Sequence, residues 1–201
     1  IRAYAEGIQD ETDEKKRQRY SEIIISETER MGMLIETLLD LSALENGAVS
    51  LAPERFDFIE FVETIAGRLL IDMPETDFEL QYELPEHKVF VYTDKQRMEQ
   101  VIDNLIINAK KNVSPKGILR LSLIEQDNML HFSIYNQGAS IPAEKLPKIW
   151  DKFYRDKNAK YNGSGLGLAI VAQILSMQDL EYGAENLTDG IRFFFSIPII
   201  K

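Results

Sequence analysis

The chain has 201 residues, room for one large domain or two small ones, and its 44% hydrophobic and 28% charged residues exclude a disordered, collagen-like or low-complexity protein. The 23 Lys and Arg against 33 Asp and Glu leave a net charge of −10, a field that opposes nucleic acid, so no nucleic-acid partner is expected. The absence of cysteine and the presence of only two histidines exclude disulfides, thiolate chemistry and a His-rich metal site.

No apolar run approaches the roughly 20 residues that span a bilayer. The chain starts at Ile1 rather than Met and carries no signal peptide, so a piece of a longer protein is expected.

The first 47 residues read as helix. Ile1, Tyr4, Ala5 and Ile8 resemble the end of one helix, and Gln9 to Lys15 is a polar connection. Tyr20, Ile24, Met31, Leu34, Leu38 and Leu41 then recur at three- and four-residue steps, widened by Ile23, Ile35 and Leu39. A stripe this wide suits a bundle. Asn46-Gly47 stops the helix. Two antiparallel helices cannot bury such a stripe alone, so a homodimer through these helices is expected. Packing against the chain's own second domain is the alternative.

Mixed elements follow. Phe58 to Ile71 reads as a helix ending before Pro74. Phe78, Leu80, Tyr82 and Leu84 alternate as in a half-buried strand, and Lys88 to Tyr92 reads as another. Thr93-Asp94-Lys95-Gln96 has the form of a capping box that opens a helix running to Asn112. Leu119 to Leu123 and Leu130 to Tyr135 flank a turn at Gln126-Asp127-Asn128, a hairpin, and Ile191 to Ile197 supplies a last strand. The fold class is α+β: a helical hairpin, residues 1–47, then a domain, residues 48–201, with a mixed, mostly antiparallel sheet and helices on one face.

Three segments carry chemistry. Asn104, Asn108 and Lys111 fall at i, i+4 and i+7 on one helix face. An amide oxygen suits Mg²⁺ and an ammonium suits phosphate, although a solvated helix face has the same pattern. Asn136-Gln-Gly138-Ala-Ser140-Ile141 follows a strand, where glycine lets backbone approach a ligand; an ordinary turn reads alike. Gly163, Gly165 and Gly167 alternate before an apolar helix, freeing N–H groups to face an anion at the helix N-terminus. Between the last two segments, Trp150 to Arg155 joins aromatics to cations.

In order and spacing these segments resemble the ATP-binding domain of sensor histidine kinases, part of the GHKL ATPase fold shared with gyrase B and MutL. Gln100 to Ala109 looks like the family's N box, Asn136 to Ile141 its G1 box, Trp150 to Arg155 its F box, and Gly163 to Gly167 its G2 box. The N-terminal hairpin is similar to the dimerisation and phosphotransfer bundle, with Arg30-Met31, Leu34-Ile35, Leu38-Leu39 and Leu41 to Glu45 typical of its second helix.

The resemblance implies a protein-histidine kinase that uses ATP and Mg²⁺. Asn108, Lys111 and Arg155 would be the catalytic residues, with Asn108 the metal ligand. Asn104, Asn112, Asn136, Gly138, Ile141, Tyr154, Gly163, Ser164, Gly165, Leu166 and Gly167 would join them around the nucleotide. Asn136 would hold the adenine amino group. The γ-phosphoryl would pass to a histidine and then to an aspartate of a response regulator receiver domain. The localisation implied is the cytoplasmic side of a bacterial membrane protein, anchored only through upstream segments.

Three departures from the family pattern stand out. The usual His-Glu-x-x-x-Pro segment would lie upstream of Ile1, and His87 and His131 read as structural. Asn136 and Ser140 stand where Asp and Gly are usual. Met177-Gln-Asp179 replaces His-Gly-Gly, which, with the Glu185 to Gly190 ending, is similar to a subgroup that includes vancomycin-resistance sensors. A degenerate kinase acting as a dimeric scaffold is the competing reading.

Overall fold

The computed structural model describes residues 1–71, 77–155 and 164–200. The chain divides into two compact units, Ile1–Asn46 and Gly47–Lys201.

The first unit is a helical hairpin. Helix α1 (Arg2–Asp10) and helix α2 (Glu14–Glu45) are joined by a short link. Asp13 caps α2 by accepting from the Lys15 amide at 2.9 Å. Tyr4 and Tyr20 meet with ring centroids 5.5 Å apart, which fastens α1 back onto α2. At the other end Asn46 Nδ2 donates to the Ser42 carbonyl, and Gly47 takes a φ of 65° that suits glycine. The stripe read from the sequence is largely uncovered. Met31, Leu38 and Leu39 are 52%, 41% and 64% exposed.

The second unit is built on a five-stranded sheet in the order β2-β4-β5-β7-β6. Its strands are β2 (Glu79–Glu83), β4 (Ile118–Gln126), β5 (Met129–Gln137), β6 (Tyr182–Leu187) and β7 (Gly190–Pro198). Only the β2–β4 pair is parallel. A separate antiparallel ribbon joins β1 (Pro53–Asp57) to β3 (Phe90–Asp94). Alternation along the strands sends Leu119, Leu121, Phe132, Ile134, Phe193 and Phe195 into the core. There they join the buried sides of α3 (Phe58–Ala66), α4 (Lys95–Asn112) and α5 (Gly167–Met177). Phe132 stacks on Phe195 with centroids 4.7 Å apart. The β4–β5 turn is made by Asp127 and Asn128, both at positive φ, which matches the strand twist.

Several boundaries differ from the sequence reading. Helix α3 ends at Ala66 and continues as a π-helical turn, Gly67–Ile71; Pro74 lies outside the described residues. Strand β3 starts at Phe90 rather than Lys88, because its partner β1 ends opposite it at Asp57, where the chain turns into α3. The capping box at Thr93 is replaced by a single cap. Asp94 accepts from the Arg97 amide at 3.0 Å and, through its other oxygen, from the Ala52 amide. Thr93 donates instead to Gln178 Oε1 beyond the end of α5. Strands β1 and β6 have no counterpart in the sequence reading, because their polar residues and the edge position of β6 erase the alternation.

Candidate nucleotide-binding site

Helix α4 supplies the first wall. Val101, Ile102, Leu105 and Ile106 are buried beneath it, and Asn104, Asn108 and Lys111 form a half-buried to exposed stripe along one edge of that face. Asn104 is held rigid, its Nδ2 donating to the Gln100 carbonyl at 2.8 Å. Asn112 Nδ2 reaches back to the Asn108 carbonyl at 2.8 Å and to Asn108 Oδ1 at 3.2 Å. That bond orients the Asn108 amide and leaves its oxygen a second lone pair for a cation. Lys111 stands exposed on the last turn.

The loop after β5 forms the second wall. Asn136 is 1% exposed, yet neither its Nδ2 nor its Oδ1 has a hydrogen-bond partner. A buried amide left unpaired costs about 1–3 kcal/mol. A buried polar group of this kind calls for a partner, which an ordered water or a ligand supplies. Gly138 is required by contact: a Cβ there would lie 2.6 Å from the Asn112 carbonyl oxygen. The loop therefore rests directly on the end of α4.

The third wall is the start of α5. Gly165 has a φ of 72°, and a Cβ on it would lie 2.8 Å from the Phe153 backbone. Phe153 donates its amide to the Gly165 carbonyl at 2.9 Å, so the aromatic segment and the glycine-rich turn are stitched together. Tyr154 lies in the same contact, its carbonyl oxygen 2.9 Å from that Cβ position. Gly167 opens α5 against Asn104 Oδ1. Among the described residues no side chain caps this helix, and uncapped amides at a helix start suit an anion. Ser164 Oγ accepts from the Leu166 amide, and Leu166 is buried.

Direct contacts thus join Asn104 to Gly167, Asn108 through Asn112 to Gly138 and Asn136, and Tyr154 to Gly165. Ile141 sits further along the second wall and is gripped by Asn186. Gly163 lies outside the described residues. Arg155 carries an interaction of its own. The group fits a magnesium nucleotide: an unpaired amide for a base, a polar helix face, and an uncapped helix start for phosphates. Among the described residues no three His, Cys, Asp or Glu come together as a metal site, so a hard cation here would rely on the Asn108 oxygen and the phosphates it accompanies.

The two histidines serve the scaffold. His131 Nδ1 lies 2.8 Å from Ser196 Oγ between β5 and β7, and His87 pairs with Glu125 at 2.8 Å. The sequence reading also passed over Tyr135, Gln137, Asn186 and Asp189. Tyr135 donates to Asp189 at 2.6 Å. Burial and that bond push the Tyr135 phenol up to about 12, while the same bond holds the Asp189 carboxyl below its ordinary range. The Asp-Gly pair at the β6–β7 turn was the available signal.

Comparison with known proteins agrees with this geometry. Residues 93–201 match the histidine kinase-, DNA gyrase B-, and HSP90-like ATPase family. Residues 1–47 match the His Kinase A (phospho-acceptor) domain. Sensor histidine kinase WalK of Bacillus subtilis is 30% identical over 207 residues, covering 98% of this chain and 34% of its own length. This chain therefore spans about a third of the relatives it matches. Among solved structures, Acinetobacter baumannii histidine kinase AdeS is 25% identical with a TM-score of 0.77, covering 100% of this chain and 93% of that one. Histidine kinase ThkA in complex with response regulator protein TrrA has a TM-score of 0.79 at 21% identity, covering 98% and 56%. The vancomycin-resistance subgroup gains no support from these relatives. The chain belongs to the histidine kinase-, DNA gyrase B-, and HSP90-like ATPase family, in its sensor histidine kinase branch.

Proposed function

We propose that this chain is the ATP-binding catalytic portion of a two-component sensor histidine kinase. The observation that carries the reading is the Asn136 amide, buried with both polar atoms unpaired. Its oxygen can accept from the adenine amino group and its NH₂ can donate to a ring nitrogen. Asn108 would hold Mg²⁺ through its side-chain oxygen. Lys111 and Arg155 would neutralise the phosphate tail, and the α5 amides would receive its oxygens. The bound nucleotide supplies a γ-phosphoryl for transfer. The residues here do the positioning and charge neutralisation that such transfer requires.

The acceptor histidine is neither His87 nor His131, since both lie in the ATP-binding unit and are engaged with Glu125 and Ser196. Residues 1–47 would serve as part of the dimerisation and phosphotransfer bundle, residues 48–201 as the ATP-binding domain. The uncovered α2 stripe suits a second copy of the chain. The final acceptor would be the receiver domain of a response regulator, the class of protein that histidine kinase ThkA holds in its complex with TrrA. Among the described residues no helix is long and apolar enough to cross a membrane. The placement that goes with the WalK likeness is the cytoplasmic side of one.

Calorimetric titration of ATP with and without Mg²⁺ tests the site. Asn136→Ala should weaken binding by about 1–3 kcal/mol, and Asn136→Asp should keep or tighten it, because charge-assisted bonds are the stronger. A second reading rests on Asn136 itself, which stands where the family usually has Asp: a degenerate kinase acting as a scaffold. If millimolar Mg-ATP shifts the melting of Asn136→Asp but not of the wild type, the scaffold reading replaces the first.

A further inference from the structure

The loop running on from β5 has no regular structure between Gly138 and Pro142, yet one hairpin turn holds it at two points. The Gly138 amide donates to the Asp189 carbonyl at 2.9 Å. The Asp189 carboxylate accepts from Tyr135 OH at 2.6 Å and from Gln137 Nε2 at 2.7 Å. Three residues further on, Asn186 grips Ile141 from both sides. Its Oδ1 accepts from the Ile141 amide at 2.9 Å, and its Nδ2 donates to the Ile141 carbonyl at 2.6 Å. One side chain thus satisfies both backbone groups of one loop residue, as a neighbouring strand would.

Asn186 and Asp189 are themselves exposed, at the edge of an open groove of about 530 Å³ that Arg120 and Tyr135 also line. They add nothing to the hydrophobic core. Closing the β6–β7 turn does not require either side chain to reach across to β5 or the loop. What their bonds do accomplish is to fix the backbone from Gly138 to Ile141, Asn186 directly and the Asp189 carboxylate by holding the turn whose carbonyl receives the Gly138 amide.

We propose that the β6–β7 turn is a clamp on the base-binding loop, with Asn186 and Asp189 as positioning residues for nucleotide recognition. The inference rests on the reading of Asn136 as the adenine contact. A loop that must order itself on binding spends interaction energy on that ordering. Asn136 is itself held in β5 between β4 and β7; a loop already pinned at Gly138 and Ile141 keeps the adjoining wall in register with that amide, and short-range hydrogen bonds to a base fail when misplaced by a fraction of an ångström. The clamp also explains why Asn186 spends both amide groups on backbone rather than on solvent.

The test uses the whole chain with Mg-ATP as the probe. Binding is measured by calorimetry for wild type, Asn186→Ala, Asp189→Ala and Asp189→Asn, with ligand-free melting in parallel. Each alanine variant should weaken Mg-ATP binding by about three- to tenfold, the scale of one or two lost hydrogen bonds. Ligand-free melting should fall by no more than about 5 °C, the scale of the same one or two bonds lost from the free protein. Asp189→Asn retains the acceptor for Tyr135 but turns an NH₂ toward Gln137 Nε2, so it should recover part of the affinity lost in Asp189→Ala. Wild type that binds Mg-ATP while both alanine variants match it overturns the clamp alone. So does a loss that accompanies a larger fall in ligand-free melting and is not recovered by Asp189→Asn, which marks a structural role. Failure of the wild type to bind overturns the adenine reading of Asn136 and the clamp with it.

Discussion

Gly167 and Asn104 face each other across the start of α5 so closely that a Cβ at position 167 would lie 2.6 Å from Asn104 Oδ1. Asn104 cannot simply swing aside, because its Nδ2 is bonded to the Gln100 carbonyl. The glycine-rich turn and the polar face of α4 are therefore fitted to one another before any ligand arrives. Gly138 makes the same fit at the other end of α4, but against backbone.

That difference predicts an order of severity. In Gly167→Ala the new methyl meets the end of a side chain, which can rotate after breaking one hydrogen bond, a cost of about 0.5–1.5 kcal/mol. In Gly138→Ala it meets the Asn112 carbonyl, and the loop itself must move. Gly138→Ala should lower the melting temperature more than Gly167→Ala and weaken ATP binding further. Thermal melting and calorimetry of the two variants check the order; equal or reversed effects contradict the contact analysis.

Asn108→Ala should remove the Mg²⁺ dependence of nucleotide binding and leave the fold intact. Asn108 lies on the polar stripe of α4 and is only half-buried, at the edge of the face that buries Leu105. Losing its amide opens no cavity, and surface changes of this kind stay within about 0.5 kcal/mol. The measurement is ATP affinity with and without Mg²⁺, beside a melting curve. An undiminished response to Mg²⁺ would remove Asn108 from the metal-binding role.

Leu38→Glu should impair self-association while sparing the ATP-binding unit. Leu38 is 41% exposed on the α2 stripe beside Met31 and Leu39, and a carboxylate there would have to be buried in any dimer interface. Light scattering over a concentration series reports the change. A wild type that stays monomeric at high concentration, with Leu38→Glu identical to it, argues against the bundle.

The Tyr135–Asp189 bond carries two opposite pH dependences. Asp189 has its folded pKa lowered, so its contribution is present above the unfolded value and fades as pH falls through the folded one. Tyr135 is raised to about 12, so its contribution is complete below the unfolded value near 10 and fades as pH rises toward 12. In Tyr135→Phe the largest cause of the Asp189 shift is gone, and its titration should move upward. Carboxyl NMR titration of wild type and variant measures this; an unmoved Asp189 would mean the bond is not formed in solution.

Phe132→Ala should destabilise the ATP-binding unit by about 3–5 kcal/mol. The ring is fully buried and stacked on Phe195 in the centre of the sheet. Chemical denaturation gives the value directly, and a loss below about 1 kcal/mol would contradict the packing described.

The periodic elements were legible in the chain itself. Helix α4 and strands β4, β5 and β7 announce their buried faces through spacings of 3.6 and 2 residues, because a core needs apolar residues at those intervals, and α2 shows the helical spacing in a stripe that its own unit leaves largely uncovered. Asn104, Asn108 and Lys111 were legible for the same reason, as a polar stripe of helical spacing that borders the buried face. The glycines of the loops were legible as places where backbone must turn or approach. Tertiary structure decided what no local pattern encodes: that β2 runs parallel to β4, that Asp94 rather than Thr93 caps α4, and that Gly138 and Gly167 are glycines because α4 lies against them. It also decided the partners of Asn186 and Asp189. A polar side chain at a turn reads the same from the sequence whether it faces water or holds a loop 45 residues away. Hydrogen bonds act over about 3 Å in space and carry no trace of their separation along the chain.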